Sequence, residues 1–176
     1  MMEFFRAQTL RITLLLCLGF TLLAGCGEIT PLWKGYFKLK NLTLYTNEPC
    51  EYKVSIQDER PELLVNLELT ITHYIKISRT SLPLSIFLER NVDDSTYVVK
   101  EYEVEIPLKE DGEWKGELVN DGVDIALTYV AIPRLNLQPG DYTLKIYADA
   151  LKETTGEIEG VAQIDARFYE VQDIEN

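Results

Sequence analysis

From Leu63 onward the apolar residues fall on alternate positions: Leu63, Val65, Leu67, Leu69 and Ile71, then Ile75 and Ile77. Glu62, Asn66, Glu68, Thr70, Thr72, Lys76 and Ser78 occupy places between them. On a helix the odd residues would spread around the whole circumference, whereas on a strand they share one face. A chain patterned this way must bury one face of a sheet, which narrows its folds more than any other feature it has. Fifteen residues is long for one strand, so a bend or bulge is expected near His73.

The same period recurs along the chain. Tyr52, Val54 and Ile56 alternate, as do Leu82, Leu84, Ile86 and Leu88, and then Tyr102, Val104 and Ile106. Val123, Ile125, Leu127 and Tyr129 follow, then Tyr142, Leu144, Ile146 and Ala148, and finally Ile158, Gly160, Ala162, Ile164, Ala166 and Phe168. In "GYFKLKNLTLY" the phase changes at Asn41, which predicts a bulge. Turn-forming groups separate the runs, among them Asn47-Glu48-Pro49, Asp111-Gly112, Asn120-Asp121-Gly122 and Pro139-Gly140-Asp141. The one helical stretch is a single short turn near 148–153, and crossover helices are missing. The pattern predicts an all-β fold, a single antiparallel β-sandwich of about 8–9 strands with immunoglobulin-like or jelly-roll-like character.

The N-terminus has a different logic. Arg6 and Arg11 precede a 12-residue apolar run, Ile12–Leu23. As a helix it reaches about 18 Å, short of the roughly 30 Å of a bilayer core. A basic start and a short apolar run mark a secretory signal. This one ends in Leu23-Ala24-Gly25-Cys26, which resembles the bacterial lipobox. That resemblance implies signal-peptidase recognition through Leu23, Ala24 and Gly25, removal of residues 1–25, and an N-acyl diacylglycerol group on Cys26. The expected organisation is a lipidated tether over 26–33 and a sandwich domain over 34–176. No other cofactor is expected.

Without residues 1–25 the 17 basic and 29 acidic residues become 15 and 28, a net charge of −13. That surface argues against nucleic acid and against anionic lipid as charge partners. Of three cysteines, Cys17 leaves with the signal and Cys26 takes lipid, so Cys50 has no disulfide partner within the chain. Its mostly acidic neighbours offer little to activate a thiol, and a structural role is expected.

Catalytic and ligand-binding constellations are sparse. His73, the single histidine, falls on the apolar side of its strand and is expected to be a buried neutral imidazole. A small hydrolase pairing it with a carboxylate is the enzymatic alternative, but no Gly-x-Ser-x-Gly elbow accompanies it. No metal-ligand spacing is found, and Asp93-Asp94 alone is no calcium loop. Glu101, Glu103 and Glu105 read as the solvated face of a strand. Trp114, within Gly112-Glu113-Trp114-Lys115-Gly116, is expected to cap one end of the core; the alternative is a sugar-stacking platform with nearby tyrosines. Asp94-Ser95-Thr96 resembles a short bacterial O-glycosylation acceptor, with Ser95 modified.

The order "LPLSIFLERN", "YEVEIPLKEDGEWKGEL", "LNLQPGDYTLKIYADALKE", "GEIEGVAQIDARF" resembles the gliding-motility-associated lipoprotein H family over about 82–169. Where members tend to show Gln-Ala-Met-Arg after the Pro-Gly-x-Tyr strand, this chain has Tyr147-Ala148-Asp149-Ala150-Leu151-Lys152. The resemblance implies a non-enzymatic envelope lipoprotein that supports gliding and associated secretion machinery through protein contacts. The expectation is therefore an outer-membrane-anchored interaction or scaffold component, held at the periplasmic face, since Gly27 follows Cys26 and Glu28 is the lone nearby acid. A surface glycan-binding lipoprotein is the alternative.

Overall fold

The computed structural model describes residues 29–92 and 95–171, the side chains of 95–99 apart. The chain divides into two compact units between Thr30 and Pro31, and the fold is that of the second.

Its strands are β1 (Trp33–Lys38), β2 (Thr43–Tyr45), β3 (Cys50–Ile56), β4 (Leu63–Tyr74), β5 (Ser81–Val92), β6 (Ser95–Pro107), β7 (Lys109–Glu110), β8 (Glu113–Trp114), β9 (Glu117–Val119), β10 (Asp124–Leu137), β11 (Gly140–Ala148), β12 (Glu157–Glu159) and β13 (Val161–Glu170). One sheet runs β1-β13-β4-β10-β9 and the other β3-β11-β5-β6. Two short pairs, β12-β2 and β7-β8, complete the set. All the pairings are antiparallel. The nine strands of the two main sheets form the expected all-β sandwich.

The alternation explains which face of each strand is covered. β4 buries every odd residue from Leu63 to His73 and lies between β13 and β10. The apolar faces of β4, β10 and β13 share one core with those of β3, β5 and β11. Burial of side chains of this size is worth about 1.5–3 kcal/mol each. Tyr52, buried in β3, donates its hydroxyl to the Ile164 carbonyl at 2.8 Å, tying one sheet to the other. Trp33 closes the core's edge, edge-on to Tyr52 and tilted against Phe168 with centroids near 6 Å.

Several local expectations need correction. The run 158–168 is two strands: Gly160, with φ 94°, turns the chain from β12, paired with β2, into β13 of the five-stranded sheet. A register shift between Val161 and Gln163 then resets the phase, so Val161 is buried in place of Gly160 and Ala162. This shift lies opposite His73, so the irregularity expected in β4 belongs to its partner. At Asn41 the chain makes a 3₁₀ turn, Lys40–Leu42, with Asn41 and Leu42 both left-handed, and Leu42 is exposed. Val123 is exposed too, because the turn at Asn120–Gly122 delays β10 to Asp124. β10 continues past Tyr129 to Leu137 through two register shifts, with Arg134 at φ 51°. Near 148–153 the chain makes one turn, in which the Asp149 carbonyl accepts from the amides of Lys152 and Glu153.

Asp111-Gly112 forms the two-residue loop between paired Glu110 and Glu113. Both loop residues have positive φ, 51° and 86°, as a tight hairpin requires.

Candidate functional site

The lipobox residues Leu23, Ala24, Gly25 and Cys26 lie outside the described residues, as do Asp94 and the side chain of Ser95. Ser95 begins β6 in register with Val92.

The cysteine and the histidine of the sandwich, Cys50 and His73, are both in the core. Cys50 is buried at the start of β3, and burial pushes its thiol up to about 12, where it stays protonated and unreactive. His73 has no solvent exposure. Its Nδ1 lies 3.1 Å from the Tyr74 carbonyl, which fits a proton donated from that nitrogen, and Nε2 has no partner. A hydrolase built on this imidazole would have no route for substrate to reach it.

Burial holds His73 below the ordinary value of 6.5, against the opposing pull of the Tyr74 carbonyl and Asp124. The unfolded chain therefore takes up a proton first as pH falls. Stability conferred by the neutral ring is full above about 6.5 and declines as pH drops toward the folded value. Urea midpoints measured from pH 7.5 to 5.5 should fall more steeply in the wild type than in His73→Gln. Equal slopes would show that His73 does not carry this term.

Trp114 sits at the end of the β7-β8 hairpin, half-buried against the core. His73 packs beside it with ring centroids 5.2 Å apart and 47° between planes. Lys109 Nζ lies 4.0 Å from the indole centroid, a close cation–π contact. The capping role is what this geometry provides. A sugar stacking on the covered face would have to displace Lys109.

A different surface has more of the features of a binding site. On the outer face of the four-stranded sheet, alternation aligns Ser85 and Phe87 of β5, Glu101 and Glu103 of β6, and Tyr147 of β11. Phe87 is in register with Glu101, and Ser85 with both Glu103 and Tyr147. Phe87 and Tyr147 meet edge to face, with centroids 5.6 Å apart and planes at 86°. With Glu89 and the chain at 148–151 they border a groove of about 450 Å³. Asp149 lines it too, although only 2% exposed. One of its carboxylate oxygens accepts the Leu151 amide at 2.9 Å, and the other, Oδ2, has no partner. Glu105, further along β6, lies apart from this wall: it accepts from Ser81 and Lys152, which hold its carboxyl below the usual range.

Periodicity marks Glu101 and Glu103 as a solvated face but does not reveal the aromatic pair or Asp149 beside them. Their convergence depends on strand order and register, which short-range alternation does not carry. A smaller cavity of about 220 Å³ lies between Phe37, Leu44, Tyr45 and Cys50. Among the described residues there is no group of three His, Cys, Asp or Glu suited to a metal ion, and no helix long and apolar enough to cross a membrane.

No family model matches this chain, and no curated protein matches it. Among solved structures it is similar to a protein from Sulfurospirillum deleyianum, at 12% identity and a TM-score of 0.41, covering 80% of this chain and 99% of the other. It is also similar to the Yersinia pseudotuberculosis-derived mitogen, at 11% identity and a TM-score of 0.32, covering 84% and 92%. Likenesses this distant carry no functional argument.

Proposed function

We propose that this protein is a lipid-anchored, non-enzymatic interaction component of the bacterial outer membrane, acting through contacts of its β-sandwich with other envelope proteins. The observation that carries this reading is the lipobox Leu23-Ala24-Gly25-Cys26 at the end of a short apolar run, ahead of a sandwich. Burial of both Cys50 and His73 supports binding over hydrolysis. The resemblance over 82–169 to the gliding-motility-associated lipoprotein H family favours a place in motility or associated secretion machinery, at the periplasmic face.

Cross-linking in intact envelopes followed by purification of the lipidated protein tests the reading. Discrete adducts with envelope proteins are expected. Recovery of the protein alone, at cross-linker levels that trap known envelope complexes, would overturn it. A glycan array run with wild type and Trp114→Ala separates the rival: sugar binding lost on removing Trp114 would favour glycan recognition instead.

A further inference from the structure

We propose that the groove between Phe87, Tyr147 and Asp149 captures a basic side chain, lysine or arginine, of a partner polypeptide. This deepens the reading of the protein as an interaction component and rests on it. The argument begins with Asp149. A carboxylate oxygen removed from water and left without a donor costs about 1–3 kcal/mol or more, so such groups are ordinarily matched. Here Oδ1 is matched by the Leu151 amide and Oδ2 is not. The missing partner is a donor, and the surrounding charge says it is cationic.

Of the four acids bordering the groove, Glu89 is paired with Lys145 at 2.8 Å. Glu101, Glu103 and Asp149 have no ion pair among the described residues. Among the described residues no three of these carboxylates are grouped so as to hold one metal ion. An extended cation fits the arrangement better, because several N–H donors can reach separate acceptors. The Phe87–Tyr147 pair suits the rest of such a side chain: methylenes pack on the rings, and the charged head is attracted to a ring face. Leu151, 82% exposed at the rim, adds apolar cover for the stem. An anionic ligand would meet repulsion from every uncompensated acid.

The test uses the full lipidated protein in detergent micelles and fluorescein-labelled Gly/Ser peptides. These carry two arginines, two lysines, or two citrullines, the last being neutral isosteres of arginine. The arginine or lysine peptide should bind at physiological salt at least tenfold more tightly than the citrulline peptide. Glu101→Gln with Glu103→Gln, at exposed strand positions, should weaken that binding at least fivefold. Asp149→Asn, which keeps an oxygen for the Leu151 amide, should weaken it similarly. Should Asp149→Asn fail to fold, the double glutamine variant decides. Equal binding of arginine and citrulline peptides, no binding of either basic peptide at millimolar concentration, or wild-type affinity in the double variant would each overturn the proposal. Envelope adducts that persist while the basic peptides do not bind would overturn the groove and leave the envelope reading intact. Basic-peptide binding without any envelope adduct would do the reverse.

Discussion

Replacing Cys26 with alanine is expected to abolish lipidation entirely and to leave a precursor 25 residues longer than the processed form. The acceptor must be a thiol, since the diacylglyceryl group is transferred to sulfur, and lipoprotein processing follows that transfer. Metabolic labelling with a fatty-acid analogue gives an unambiguous readout here. Cys50 is sealed in the core with its thiol pushed up to about 12, so it cannot substitute as an acceptor in the folded protein. Each buried methylene contributes about 0.8 kcal/mol to membrane affinity, and one chain alone binds only reversibly. Loss of the whole anchor should therefore leave no mature, acylated form in the detergent-extracted membrane fraction. Retained label on Cys26→Ala would refute the lipobox assignment.

Gly116→Ala is expected to be among the most destabilising single substitutions in the sandwich, by about 3 kcal/mol or more. Gly116 carries the chain from the β7-β8 hairpin into β9, flush against β10. Its φ is +97°, and an added Cβ would lie 2.3 Å from the Ala126 carbonyl oxygen and 2.9 Å from its carbon. Those atoms belong to the paired backbone of a central strand and cannot swing aside as a side chain would. Gly112, four residues earlier, supplies the control. Its φ is also positive, +86°, but nothing lies within 4 Å of an added Cβ. Alanine there should cost about 1–2 kcal/mol, the left-handed conformation alone. Urea denaturation of the two variants separates steric closure from backbone conformation, and equal losses would refute the close approach at Gly116.

The same motif shows how far local sequence reaches. Asp111-Gly112 announces a tight turn from its own chemistry, and a two-residue hairpin is what forms. That Gly116 must be glycine because β10 passes beside it is invisible locally, since Ala126 is ten residues away. Runs such as Leu63–Ile71 and Tyr142–Ala148 are legible because burial of one strand face imposes period two within each run. The run 158–168 misleads because its period is interrupted by a partner. β13 must bulge where it meets His73, and Gly160 hands the chain from one pairing to another.

The candidate sites divide along the same line. Trp114 is legible as a core cap from its place between two glycines, whereas the Lys109 ammonium over its ring is a product of hairpin pairing that brings Lys109 opposite Trp114. Glu101 and Glu103 are legible as an outward face. Phe87 and Tyr147 come from strands 60 residues apart in sequence, and only the β6-β5-β11 order sets them beside those acids.

By itself, then, the amino-acid sequence determined the all-β class, most strand faces and the main turns. Each of these follows from short-range alternation or from a residue's own backbone preference. Only the tertiary structure decided which strands are neighbours, where the register slips, and that Asp149, with one carboxylate oxygen unpartnered, lines a groove together with an aromatic pair. Those outcomes depend on interactions between residues far apart in the chain, whose free energies are set by packing that no local pattern encodes.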